Sequence, residues 1–334
     1  MGTVFYTDRA ATSASTNERT SVTGSPSDDP GIRVSEELRA PVSTGIELCY
    51  QTYGDPSADP LLLVMGLSAP MTWWSDELCR RLASASFFVV RFDNRDVGRS
   101  GRGQGRVTRA DLVRAGLGLP GRAPYTLSEM ADDMVGLLDH LDIERAHIVG
   151  ASMGGMLVQT MAIEHPDRVA SLVSIMSTTG KRSVGWQHPS LLPRLLAKRA
   201  LTREEYIANG RVMAAMIGSP GFPEDPEAMD QRAGETWDRG VSASGILRQM
   251  LAILRQPNRT AALRELTVPA AVIHGSADKM VHISGGRATA AAIPDAELVV
   301  IEGMGHDVPV ELYDTFVEVI RRTADRATGD AVTT

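Results

Sequence analysis

The chain has 334 residues, 43% of them apolar, which is enough to bury a large core in one big domain or two ordinary ones. Its net charge of −7, with no long Lys/Arg cluster, argues against nucleic-acid binding. Two cysteines, Cys49 and Cys79, supply neither a disulfide framework nor a metal-ligand set, and no run reaches the ~18 apolar residues of a membrane span.

The N-terminus lacks the basic-then-apolar pattern of a secretory signal, so the expected location is cytoplasmic. Met1 to Pro30 is rich in Ser, Thr, Asp and Gly with almost nothing to bury, and residues 1–33 are predicted to form a disordered N-terminal tail. From Val34 the pattern becomes strand, turn, strand. Ile46 to Tyr50 alternates as a half-buried strand, and after the turn Gly54-Asp55-Pro56 the run Leu61 to Met65 reads as a central parallel strand buried on both faces.

Trp74 to Ala83 is predicted helical and Phe87 to Phe92 a strand, followed by a loop-rich stretch with many glycines from Asp93 to Ala123. Thr126 and Glu129 form a capping box for a helix whose apolar face carries Leu127, Met130, Met134, Leu137 and Leu141. His147 to Gly150 is a strand, Met153 to Glu164 a helix and Val169 to Met176 a strand. This alternation predicts an α/β fold with a mostly parallel sheet flanked by helices.

Residues 180–263 break the pattern. They show helices at Pro193–Ala200, Arg203–Ile217 and Gly245–Leu254 without a convincing strand, and are predicted to be an inserted helical cap. Strands return at Ala270–His274 and Glu297–Ile301, and a last helix carries Leu312, Phe316, Val319 and Ile320. The core is thus assigned to 34–179 and 264–327, and 328–334 to a flexible C-terminus.

Gly150-Ala151-Ser152-Met153-Gly154 is a G-x-S-x-G sequence lying between a strand and a helix. Glycines two residues either side of the serine leave room where incoming strand and outgoing helix nearly touch, which offers Ser152 as a nucleophile. Among seven histidines, His306 alone follows the last strand in a flexible Gly303-Met304-Gly305 loop, where it can act as base. Asp278 ends the penultimate strand and is placed to fix the imidazole tautomer, whereas Asp307 is badly placed for its own neighbour's ring. The oxyanion donors are expected from the backbone amides of Met153 and Leu67, with Gly66 giving flexibility.

With these residues the chain resembles the α/β-hydrolase superfamily from about Ile46 to Arg322. Met65-Gly66, in place of the common His-Gly, together with Arg91-Phe92-Asp93-Asn94-Arg95-Asp96-Val97-Gly98-Arg99-Ser100, resembles the bacterial serine-esterase subgroup containing aclacinomycin methylesterase. The resemblance implies an eight-stranded sheet under a helical cap, a Ser152/Asp278/His306 triad, oxyanion amides at Leu67 and Met153, and no metal or organic cofactor. Asp93 to Ser100 is taken as structural turn chemistry, with a role for Arg95 near the floor of the site as the alternative.

The expected reaction is hydrolysis of a carboxylic ester of a hydrophobic small molecule through an acyl-enzyme, by a monomer or homodimer. Lactonase, thioesterase, perhydrolase and C–C hydrolase activities share the triad, and a slow-turnover small-molecule receptor is the alternative of another class. Gly66, Trp73, Met176, Met213 and Met216 are the candidate substrate contacts, because methionine fills adaptable apolar space.

Overall fold

The computed structural model describes residues 3–6, 31–191 and 200–329. Nine strands form one sheet: β1 (Thr3–Tyr6), β2 (Leu38–Pro41), β3 (Glu47–Tyr53), β4 (Asp59–Val64), β5 (Phe87–Phe92), β6 (Ala146–Ala151), β7 (Val169–Ile175), β8 (Ala270–Gly275) and β9 (Glu297–Ile301). Their order is β1-β9-β8-β7-β6-β4-β5-β3-β2, with only the β2–β3 and β3–β5 pairs antiparallel. The eight strands from Leu38 to Ile301 are the mostly parallel sheet expected from the sequence.

Burial explains the strand sequences. Every residue of β5, β6 and β8 is buried, so these strands read as apolar runs and not as alternating ones. One face of the sheet is covered by the helices Leu127–His140 and Met153–Glu164, the other by Asp76–Ser84 and Tyr313–Thr328. Leu127–His140 carries the predicted capping box, Thr126 accepting from the Glu129 amide. Met153–Glu164 is buried nearly all round, from Met153 to Ala162, as a helix sandwiched between sheet and neighbours must be.

Among the described residues the remaining α-helices lie at Arg109–Gly116, Arg203–Ile217, Pro226–Gly240, Ala243–Arg255, Thr260–Leu263 and Ser284–Ala292. Four of them lie between β7 and β8, in the segment expected to be all helix. The helix expected at 193–200 falls largely on 192–199, outside the described residues.

Three expectations need correction. The tail is not wholly irregular, because Thr3–Tyr6 pairs in parallel with Leu298–Ile301; its Thr-Val-Phe-Tyr sequence is a local run of strand formers hidden in a polar average. Residues 31–33 are also held, the Arg33 carbonyl accepting from the Gly54 amide at 2.8 Å, while 7–30 lie outside the described residues. The stretch 93–123 contains the helix Arg109–Gly116, started by a capping box between Thr108 and Asp111. At the C-terminus the last helix runs to Thr328 and stops at Gly329, whose φ of +77° is left-handed.

Candidate active site

Ser152 sits between β6 and the helix Met153–Glu164 with φ 57° and ψ −116°, a left-handed backbone that a non-glycine residue adopts only when its surroundings impose it. The flanking glycines make this possible. A Cβ on Gly150 would fall 2.1 Å from the Gly154 carbonyl oxygen, and one on Gly154 would fall 2.0 Å from that of Val64. The Ser152 amide donates to the Ile175 carbonyl at 2.9 Å, and Ser177 Oγ donates to the Ser152 carbonyl at 2.8 Å.

The loop after β9 delivers His306. Gly303 turns the chain at φ +75°, the Gly305 amide donates to Ser219 Oγ at 2.8 Å, and the His306 amide donates to the Ile217 carbonyl at 2.7 Å. The end of the helix Arg203–Ile217 therefore grips this loop from above. His306 Nε2 lies 2.9 Å from Ser152 Oγ, and Nδ1 lies 2.8 Å from Asp278 Oδ2. A carboxylate can only accept, so Nδ1 carries the proton and Nε2 faces the serine hydroxyl as acceptor.

Asp278 stands in the turn after β8, and its other oxygen accepts from the amides of Met280 and Val281, both at 2.8 Å. Burial works against its charge, but the neighbouring His306 and hydrogen bonds from His274 and His306 more than offset this, holding the carboxyl at about 2. Asp307 turns away from the His306 ring and bonds Ser219; burial raises its carboxyl above the usual range.

The loop after β4 closes the other side of the serine. A Cβ on Gly66 would come within 3.1 Å of Ser152 Cβ, tighter than side chains ordinarily pack, so glycine suits this close approach of the backbone. Two side chains hold the loop: Asn94 Nδ2 donates to the Met65 carbonyl, and Gln249 Oε1 accepts from the Ser68 amide, both at 2.9 Å. The Met153 amide heads its helix and has no intrahelical acceptor.

These groups open onto a cavity of about 470 Å³. Gly66, Leu67, Trp73, Met176 and Met213 line it with Ser152 and His306, as do Met65, Met229 and Met280. Met216 does not. The lining face of its helix is Tyr206, Asn209, Gly210, Met213, Ala214 and Ile217, and Met216 turns past the edge of that stripe. Trp73 faces the cavity whereas Trp74 is buried in the core.

One wall carries charge that sequence reading did not single out. Arg232 pairs with Glu224 at 2.7 Å and lies over the Trp73 ring at 4.9 Å, while Trp73 Nε1 donates to Thr236 Oγ1 at 2.9 Å.

The turn after β5 proves to be a socket for the inserted helices. Arg239 pairs with Asp93 at 2.8 Å and Arg248 with Asp96 at 2.6 Å, both acids fully buried. Asp93 also accepts from the Met71 amide at 2.8 Å. The run Asp93-Asn94-Arg95-Asp96 was visible in the sequence, but nothing local says which distant arginines would enter it.

A strained serine on a strand-to-helix elbow, a histidine after the last strand and an acid after the one before it, all at one edge of a mostly parallel sheet, make up the architecture of an α/β-hydrolase. The chain belongs to the α/β-hydrolase fold family, which matches residues 59–311. It is 29% identical to the rhodomycin D methylesterase of Streptomyces sp. (strain C5) over 300 residues, covering 82% of this chain and 94% of that protein. It is 25% identical to 3-oxoadipate enol-lactonase 2 of Acinetobacter baylyi over 284 residues, covering 84% and 94%. In fold it is similar to the crystal structure of the enol-lactonase from Burkholderia xenovorans LB400, with a TM-score of 0.67 at 23% identity, covering 86% of this chain and 99% of that one.

Proposed function

We propose that this chain is a serine carboxylic-ester hydrolase in which Ser152 is the nucleophile, His306 the general base and acid, and Asp278 the residue that orients the imidazole. The observation that carries this reading is the continuous hydrogen-bonded chain from Ser152 through His306 to Asp278, at 2.9 and 2.8 Å.

Ser152 Oγ attacks the ester carbonyl as its proton passes to His306 Nε2, and the amides of Leu67 and Met153 receive the developing oxyanion. The intermediate collapses when the histidine returns that proton to the departing alkoxide, leaving an acyl-enzyme and a free alcohol. Water then attacks the acyl carbon, again giving its proton to His306, and the carboxylic acid leaves with Ser152 restored. The negatively charged Asp278 stabilises the imidazolium formed in each half.

The mostly apolar cavity suits a hydrophobic acyl group, and the helices Arg203–Ile217 and Pro226–Gly240, within the 180–263 segment read as a cap, shape one side of it. A methylesterase and an enol-lactonase among the relatives support an ester or lactone of a small molecule as substrate. Ring opening of a lactone uses the same steps, with the leaving oxygen still tethered.

Hydrolysis of p-nitrophenyl acetate, butyrate, octanoate and palmitate by wild type and by Ser152→Ala tests the reading. Loss of activity in the variant with its circular dichroism unchanged is the expected result, and equal activity in both proteins would refute it.

A further inference from the structure

The inserted helices do more than cover the cavity. Gln249, on the helix Ala243–Arg255, is fully buried and makes two hydrogen bonds to the body of the protein. Its Oε1 accepts from the Ser68 amide at 2.9 Å, and its Nε2 donates to the Arg95 carbonyl at 2.9 Å. A buried primary amide so held has little freedom to turn, because rotating it would leave a donor against a donor and an acceptor against an acceptor.

The loop it reaches is the one carrying Leu67. On the near side the Met65 carbonyl is fixed by Asn94, and on the far side the Ser68 amide is fixed by Gln249. The Gly66–Leu67 peptide therefore lies between two side-chain anchors. Ser68 itself has φ +57°, a left-handed conformation that a non-glycine residue holds only under external restraint. Asn94 comes from the same turn that receives Gln249, so turn, loop and helix form a closed hydrogen-bonded triangle. The helix is seated firmly enough to serve as a restraint: Arg248, the adjacent residue, makes a two-pronged ion pair to Asp96 at 2.6 and 2.8 Å, and a Cβ on Gly245 would fall 2.7 Å from Asp96 Cβ.

We propose that Gln249 is a positioning residue for the oxyanion hole: its bond to the Ser68 amide aims the Leu67 amide, so the hole is complete only when the helix Ala243–Arg255 is in place. This rests on the serine-hydrolase reading above. Gln249 does not line the cavity or face the reacting atoms. Its loss should therefore fall on stabilisation of the tetrahedral oxyanion and leave ground-state binding nearly untouched.

The pair Gln249→Met and Gln249→Glu separates this role from a merely structural one. Methionine loses both bonds, whereas a buried glutamate, neutral against the Arg95 carbonyl, keeps an acceptor for the Ser68 amide and a hydroxyl donor for that carbonyl. Kinetics with p-nitrophenyl butyrate should show kcat reduced about 10–100-fold in Gln249→Met with KM within about threefold, because a mis-aimed donor costs part of the 10²–10³ that losing one donor costs. Gln249→Glu should keep most of the wild-type kcat. Affinity for an alkyl trifluoromethyl ketone, whose serine adduct places an oxyanion in the hole, should fall in Gln249→Met by the same factor as kcat. Equal kcat in the two variants, or unchanged affinity for the ketone in Gln249→Met, would overturn the proposal. Ser152→Ala run alongside distinguishes the failures: if it is inactive while Gln249→Met matches wild type, the positioning role alone is wrong, and if it stays active the hydrolase reading itself falls.

Discussion

Replacing Asp278 by asparagine changes one oxygen to an NH2 group, and the structure dictates which one. The Oδ1 atom accepts from two backbone amides, those of Met280 and Val281, each at 2.8 Å. If the asparagine placed its NH2 there, three sets of N–H donors would face one another, and the buried Val281 amide and the partly buried Met280 amide would lose their acceptor. At about 1–3 kcal/mol for each unsatisfied group, that orientation is disfavoured by about 2–6 kcal/mol, or at least about thirtyfold. The NH2 must then point at His306 Nδ1, 2.8 Å away in the wild type, and donate to it. Nδ1 becomes the acceptor, the ring proton moves to Nε2, and the atom facing Ser152 Oγ can no longer take a proton. Loss of kcat by about 10⁴, the magnitude known for the same tautomer error in other serine triads, is the expected outcome. The assay is kcat for p-nitrophenyl butyrate in Asp278→Asn and Asp278→Ala, with circular dichroism to show that both fold. An alanine leaves the tautomer free, so the asparagine should be no better than the alanine despite its closer shape. An Asp278→Asn enzyme within about tenfold of wild type would refute the reasoning from locked amide to wrong tautomer.

Arg248→Met should destabilise the protein by about 3–5 kcal/mol, because it strips the charge partner from an Asp96 whose side chain is fully buried. At about 2–4 °C per kcal/mol, thermal melts should show a fall on the order of 10 °C, and a shift below about 2 °C would contradict the assignment of a buried pair. Acid should weaken the fold through Asp278. Its carboxyl is held at about 2 against an ordinary 3.8, a depressed value, so its contribution is fully present above about 4 and is lost as pH falls towards 2. At about 1.4 kcal/mol for each unit, roughly 2 kcal/mol of stability is at stake. Urea unfolding at pH 5 and near pH 2 should show a smaller pH dependence in Asp278→Asn than in wild type, and equal dependence would argue against it.

The parts of the molecule that were legible in the sequence are those whose signal is local. Ser152 announces itself because the elbow needs Gly150 and Gly154 at fixed offsets, and His306 and Asp278 because each follows an apolar strand at the sheet edge. The helix Met153–Glu164 and the strand Phe87–Phe92 coincide with their predicted bounds. The helix Arg109–Gly116 was also written locally, in Thr108 and Asp111, but surrounding glycines masked it. What could not be read is what depends on how distant elements are rotated against one another. Met216 and Met213 are three residues apart on one helix, and only the packing of that helix decides that Met213 meets the cavity and Met216 does not. Gln249, Arg239 and Arg248 look like ordinary polar residues of amphipathic helices until the acids, the carbonyl and the amide they satisfy, some 150 to 180 residues earlier, are brought to them.

The two-acid turn at Asp93 and Asp96 also bears on how such a chain can change its substrate. The inserted segment is the natural place to vary a cavity, since four helices can be altered there without touching a strand of the sheet. Yet among the described residues this segment supplies the cationic partners of two fully buried carboxylates. A foreign insert transplanted between β7 and β8 would bring new walls and, lacking counterparts to Arg239 and Arg248, would strand both acids. Chimeras should succeed when donor and host share this socket and its plugs, whatever the divergence of the residues that meet the substrate. The unit of exchange is therefore the insert plus its turn, two stretches far apart in the gene that would have to travel together.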